Sequence, residues 1–502
     1  MKQMKRLLFL SLFCCVFTWV NAQERLTPEL LWEMDRVGSP VASPDGKLIA
    51  FTVSDYDWKG NKSRTDIYVM DAKGGEPKWL TKQMTASSWH PEWRPDGKFL
   101  GCISLNAGEP QLFEISISEP GDFRQITTQE GGITGFHYAK NMSRIVFSAD
   151  VKLKATTQEI YPDLPEASGR VIDDLMYRHW NQWDDYKYSH IFYQDLNDNM
   201  PMGMPVDLMS GEKFDSPVMP FGGSEDFAIS PDGSMIAYAC KKMEGREYTK
   251  STNSDIYLAN LDQGHNEPIS LHNLGYDKAP VFSNSGKKLL WSSMATPGYE
   301  SDKNTISVYD IESRMVTDVL KDYDQSAGHV TWSAKDDMLY FTSGINATFH
   351  LFELNLKKNK VRQVTKGRCN FSGYAMTSSG VIAQRSTMQM PNALYKIDLK
   401  KGGYNLFYDW NKDLLAKLDK SSVRKHWIKT STGEKMLTWM ILPPGFDSTK
   451  KYPTLLYCQG GPQAAISQYY SFRWNFELMA AQDYIIIAPN RHGVPTFGQK
   501  YN

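Results

Sequence analysis

The chain has 502 residues, of which 41% are hydrophobic and 13% aromatic, ample for a packed core and far from the composition of a disordered polymer. Its 56 basic side chains nearly cancel its 57 acidic ones and no basic block stands out, so a nucleic-acid partner is not expected. At roughly 100–200 residues per domain, the length points to two domains, or to one large and one partial.

Residues 1–22 read as a secretory signal. Lys2, Lys5 and Arg6 form a basic start, Leu7 to Val20 an apolar stretch, and Val20-Asn21-Ala22 puts small residues where a signal peptidase reads. A membrane anchor is the other reading, but the apolar run is shorter than the roughly 20 residues that span a bilayer. No stable membrane anchor is expected, and export to the periplasm or beyond the cell is. Cys14 and Cys15 fall inside the signal. Cys102, Cys240, Cys369 and Cys458 are too scattered for a disulfide framework or a zinc pattern, so mostly buried free thiols are predicted.

A repeat follows. Ser43-Pro-Asp-Gly-Lys-Leu-Ile-Ala-Phe51 returns as Arg94-Pro-Asp-Gly-Lys-Phe-Leu-Gly-Cys102 and as Ser230-Pro-Asp-Gly-Ser-Met-Ile-Ala-Tyr238. Weaker copies run over Ala139 to Phe147, Ser283 to Trp291, Ser333 to Phe341 and, one residue shorter, Thr377 to Gln384. In each, a turn tip precedes an apolar or β-branched run. A second strand signal follows every copy, at Asp66–Asp71, Gln111–Ile115, His190–Asp195, Asp255–Ala259, Thr305–Tyr309, His350–Leu354 and Ala393–Ile397. Paired signals at roughly 40–50 residue spacing predict four-stranded blades around a channel. The third and fourth turn tips stand about twice as far apart as the others. The excess, 151–189, reads as an insertion in the third blade, with an eighth blade as the alternative. The first fold element is thus a seven-bladed β-propeller over 23–411.

After Leu399 the pattern changes. Lys412 to Ser421 reads as a linker or short helix, and Val423–Thr430 and Lys435–Leu442 as two strands. Tyr452 to Cys458 is apolar on both faces, which predicts a central strand covered by helices. The loop Gln459-Gly-Gly-Pro462 follows, then helical spacing over Phe472–Ala481 and a fully buried strand over Asp483–Pro489. Strand, loop, helix and strand mark an α/β unit over 412–502.

The order of these pieces is informative. A propeller followed by Tyr452-Pro-Thr-Leu-Leu-Tyr-Cys-Gln-Gly-Gly-Pro462 and Ile487-Ala-Pro-Asn-Arg-His-Gly493 resembles the prolyl oligopeptidase family of serine peptidases, in its exported bacterial dipeptidyl-peptidase and acylaminoacyl-peptidase branch. The resemblance spans Glu24 to Asn502 and implies an all-β seven-bladed propeller followed by an incomplete α/β-hydrolase domain. It implies a serine exopeptidase acting on short peptides, a periplasmic location, and a homodimer as the candidate assembly. Gln459, Gly460, Gly461 and Pro462 would form the oxyanion loop, although Gln459 stands where the family usually has His. The bland reading of the same residues is a tight turn.

The family places its Ser, Asp and His beyond the strands present here, and no Gly-x-Ser-x-Gly occurs in the 502 residues. The triad is therefore expected beyond Asn502. A non-catalytic exported propeller that binds a peptide or envelope protein is the alternative, and an esterase of related fold a third. Three further sets of residues stand out. Asp173, Asp174 and Arg178 in the insertion would meet a substrate's amino terminus and carbonyl by analogy with dipeptidyl peptidases, or else cap and pair within an inserted helix. Trp180, Trp183, Tyr186 and Tyr188 read as packing against the propeller rim. Arg491 and His492 end a strand on the side where α/β sheets bind ligands, or else form a loop-stabilising ion pair. No metal is expected, since His90 has no second ligand at suitable spacing, and no cofactor loop appears.

Overall fold

The computed structural model describes residues 24–461 and 464–502. The signal segment and Pro462 lie outside the described residues. The repeated turn tips form for a local reason. In the first, Gly46 takes a φ of 67°, Asp45 accepts from the Lys47 amide, and the Ser43 hydroxyl oxygen accepts from the Leu48 amide at 2.9 Å. The Ser230 tip repeats this, with Met235 donating to Ser230 Oγ at 2.9 Å and Gly233 at φ 74°. The turn is thereby closed by its own side chains, and the apolar run behind it is delivered in register.

Five antiparallel sheets follow in chain order, built from strands within 36–79, 88–125, 135–207, 227–268 and 277–318. An eight-stranded sheet over 327–408 comes next, its two four-stranded halves joined by one parallel bridge between Phe349 and Asn370. Neighbouring sheets share apolar clusters. Ala50 and Ile67 pack with Trp93 and Leu100, Ile103 and Leu112 with Phe136 and Ile145, and Val146 and Ile191 with Ile236 and Tyr238. Ile256 and Leu258 meet Leu289 and Trp291, Leu290 and Ile306 meet Leu339 and Phe341, and Leu351 meets Phe371 and Val381. The last half then returns to the first sheet, where Ile49, Phe51 and Val53 pack on Ile382 and Leu394. Hydrogen bonds seal that junction, from Ser378 N and Oγ to the Gly46 carbonyl and from Gln384 Nε2 to the Val37 carbonyl. The sheets thus form a closed propeller.

The insertion departs from the sequence expectation. The strand Arg144–Lys152 pairs along its whole length with Lys187–Asp195 of the strand Lys187–Asn197, and the chain between them holds a one-turn helix, Thr157–Ile160, and a small hairpin of Arg178–His179 with Gln182–Trp183. No helix carries Asp173, Asp174 or Arg178. Trp180 is 69% exposed and Trp183 41%, so these rings do not bury themselves on the rim. Val171, Ile172 and Leu175 stay exposed, so no helix face is buried against the sheet there.

The C-terminal sheet has the order Ser422–Lys429, Lys435–Leu442, Ile485–Pro489, Thr454–Leu456. Among the described residues Thr454–Leu456 is an edge strand; it pairs in parallel with Ile485–Pro489, and Leu456 is 64% exposed. The strand Ile485–Pro489 buries Ile486 and Ala488 only, so it is covered on one face rather than two. The helix is shorter than its spacing suggests. It runs over Phe476–Ala480, because Asn475 caps it by accepting from the Leu478 amide at 2.8 Å. Cys102, Cys240 and Cys369 are buried free thiols as expected, while Cys458 is exposed. The start of the described chain packs here too: Leu26, Leu31 and Met34 join Leu415, Leu418, Tyr470 and Ala481 in one cluster.

Candidate functional site

The C-terminal sheet meets the propeller across a cleft of about 520 Å³. Phe349, Asn370 and Met388 line it from the propeller side, and Tyr457, Gln459, Ile466, Ser467 and Trp474 from the other. The predicted loop therefore borders the largest change of architecture in the chain. Gly461 has a φ of 57°, in the left-handed region where a side chain is strained. A Cβ on Gly460 would meet nothing within 4 Å. The space beside Gly460 is thus left open by the protein itself, and a ligand carbonyl could approach the bare main chain there.

The loop's far end is held rigidly. Asn490, fully buried, accepts from the Ile466 amide at 2.8 Å and donates to the Ile466 carbonyl at 3.1 Å. Trp439 Nε1 donates to the same carbonyl at 2.7 Å. Asn370 Nδ2 donates to Ser467 Oγ at 2.7 Å, which ties the loop to the propeller. Below, Glu477 receives the Ser421 amide at 3.0 Å and the Ser421 hydroxyl, and burial pushes its carboxyl above the usual carboxylate range. Asn490, Ser467 and Asn370 were not singled out from the sequence. Asn490 had a signal, since it opens the Asn-Arg-His-Gly stretch; Asn370 and Ser467 had none.

Arg491 and His492 lie beside this loop rather than in the cleft lining. Arg491 donates to the His492 carbonyl at 2.8 Å and reaches the Gln459 carbonyl at 3.5 Å. His492 pairs with Glu434 and stacks on Tyr501 at 4.2 Å. The insertion residues sit elsewhere. Asp173 pairs with Lys154 at 2.8 Å, Asp174 accepts from the Leu175 amide at 2.7 Å, and Arg178 donates to the Trp180 carbonyl at 2.7 Å. Asp174 borders a separate hollow with Tyr177 and Trp183, which shares no lining residue with the cleft. The structure brings Gln459, Gly460, Gly461 and Arg491 together and leaves Asp173, Asp174 and Arg178 apart from them.

Metal-ligating side chains also meet where spacing did not foretell it. Glu92 and His137 approach His90, one ligand atom of each lying within 4.8 Å of the other two. Spacing along the chain does not show this group because His137 belongs to the neighbouring sheet.

Comparison with known proteins places this geometry. No family model matches the chain. It is 41% identical over 482 residues to dipeptidyl-peptidase 5 of Porphyromonas gingivalis, covering 96% of this chain and 70% of that protein. Among solved structures it is similar to an acylaminoacyl peptidase of Pyrococcus horikoshii, with a TM-score of 0.74 at 17% identity, over 95% of this chain and 68% of that one. The β-propeller domain of the Trilobed protease from Pyrococcus furiosus aligns with 77% of this chain and 99% of its own, at a TM-score of 0.51 and 14% identity.

Proposed function

Because the chain belongs to the prolyl oligopeptidase family of serine peptidases, we propose that it is the propeller-bearing part of an exported serine exopeptidase that releases dipeptides from short peptides. The observation that carries this reading is the cleft between propeller and C-terminal sheet, bordered by the loop at Gln459–Gly461. In this reading residues 23–411 are a seven-bladed propeller, counting each half of the eight-stranded sheet as one blade, and 412–502 begin an α/β-hydrolase domain. The propeller would cover the cleft and admit only short or unfolded chains.

Gly460 and Gly461 would present the oxyanion loop to the scissile carbonyl, with Gln459 and Pro462 setting its path, and Arg491 would brace it through the Gln459 carbonyl. The nucleophile, acid and base would come from sequence outside these 502 residues. Asp173, Asp174 and Arg178 would meet the substrate's amino terminus only if the insertion swings toward the cleft, releasing Asp173 from Lys154. His492 would serve the loop as an ion pair with Glu434. The release of dipeptides over acylated residues rests on the identity to the Porphyromonas enzyme.

The test uses protein isolated from its native source, offered dipeptidyl and N-acyl-aminoacyl fluorogenic substrates and a fluorophosphonate probe. Dipeptide release, with probe labelling that blocks it, is expected. Release of acylated residues alone would move the assignment to the acylaminoacyl branch. Neither hydrolysis nor labelling would remove the peptidase reading for this protein.

A further inference from the structure

The strand Ser88–Trp93 carries a β-bulge between Trp89 and Glu92, and His90 sits in it with a φ of 53°. The strand Gly135–Tyr138 of the next sheet carries His137. The bulge re-aims His90 toward that neighbour, so that ligand atoms of His90, Glu92 and His137 gather within 4.8 Å. Glu92 Oε2 lies 2.7 Å from His137 Nδ1.

What surrounds these atoms matters more than their proximity. The outer oxygen of Glu92, Oε1, accepts from the Tyr138 amide at 2.9 Å. The outer nitrogen of His137, Nε2, stands 2.7 Å from the Ser224 carbonyl, which can only accept, so that nitrogen carries a proton. His137 Nδ1 and Glu92 Oε2 are within hydrogen-bonding distance of each other, so a cation taken by both atoms would replace the proton they share. His90 Nδ1 lies 3.4 Å from Ser224 Oγ, and its Nε2 is sealed from solvent with no hydrogen-bond partner. Glu92 and His137 are thus each fixed by an outer atom and turned toward one another, while His90 Nε2 is left without a partner, an arrangement that can orient ligands around a bound metal ion.

We propose that His90, Glu92 and His137 bind one divalent cation of the zinc class, joining the second and third sheets of the propeller. Two imidazole nitrogens and one carboxylate oxygen suit zinc better than calcium or magnesium, which favour all-oxygen sites. Three protein ligands leave a fourth position, which a water can fill. Glu92 and His137 also line a cavity of about 750 Å³ with Glu225, Lys278 and His329, so that the ion would be reachable from within the propeller. The rival account is an imidazolium of His137 paired with Glu92 and no ion at all.

The test is titration of the chelator-stripped 502-residue protein with zinc chloride by calorimetry, with cobalt(II) absorption as a second readout. One equivalent is expected to bind, giving intense four-coordinate cobalt bands, and zinc should raise the wild-type Tm. Glu92→Gln and His90→Asn should each weaken zinc binding at least tenfold and abolish that Tm rise. Circular dichroism of both metal-free variants checks that they fold, and either one folded suffices for the comparison. Absence of a stoichiometric site, or unchanged affinity in a folded variant, would overturn the proposal and leave the ion pair.

Discussion

Asp277 shows how one residue can set a pH dependence. It is fully buried, its Oδ1 accepts from Asn273 at 3.0 Å, and its Oδ2 has no hydrogen-bond partner. Burial pushes its carboxyl up to about 6. The folded state therefore holds this proton more tightly than the unfolded chain, whose aspartate titrates near 4. Its stabilisation is complete below pH 4 and is lost as pH rises to about 6, a fall of up to about 3 kcal/mol. Asp277→Asn keeps the acceptor for Asn273 and cannot ionise. Urea unfolding at pH 4 and pH 7 should show the variant gaining on the wild type by about 2–3 kcal/mol between the two. A stability difference independent of pH would show that Asp277 stays neutral or finds a partner when charged. Nothing in the sequence around Asp277 announces this, because burial comes from the whole sheet stack.

At the level of single elements, the turn tips divide into what is readable and what is not. Their Pro-Asp-Gly chemistry is local, so the strands behind Ser43, Arg94 and Ser230 could be read directly from the chain. What each tip touches could not. A Cβ on Gly97 would lie 3.8 Å from Pro44, and one on Gly286 3.4 Å from Pro231, whereas on Gly46 it would fall 2.5 Å from the Ser378 amide nitrogen. All three glycines have φ near 70°, so the left-handed penalty of about 1–2 kcal/mol is common to them. Gly46→Ala should therefore cost about 2 kcal/mol more than Gly97→Ala in denaturant unfolding, the difference being the backbone clash at ring closure. Equal losses would mean that the junction yields at little cost. The strand Thr454–Leu456 differs for another reason: apolar composition records that a strand suits a sheet, while its cover must come from elements outside the described residues. The cleft loop was legible through its glycines, and the His90, Glu92 and His137 cluster was not, since residues far apart in sequence meet only when adjacent sheets stack.

For the molecule as a whole, two surfaces remain consequential. Leu455 and Leu456 stand 39% and 64% exposed on a strand that, among the described residues, is paired along one side only, an edge of the kind that recruits another strand. A polypeptide cut at Asn502 should accordingly self-associate with rising concentration, and Leu456→Lys should shift it toward monomer in sedimentation velocity. Identical profiles for the two would dissociate the edge from any dimer. The other surface is the junction between first and last sheets. Ser378 closes on Gly46 across 332 positions of sequence, and the Glu24 amide donates to the Lys417 carbonyl. A ribosome adding about 5–20 residues per second needs roughly 15–65 s to make that interval. Throughout it, the flank of Ile49, Phe51 and Val53 that later meets Ile382 and Leu394 has no native neighbour. The first sheet is thus among the earliest parts made, yet it is completed only once Leu394 has emerged, and its hydrophobic flank stands without that neighbour until then.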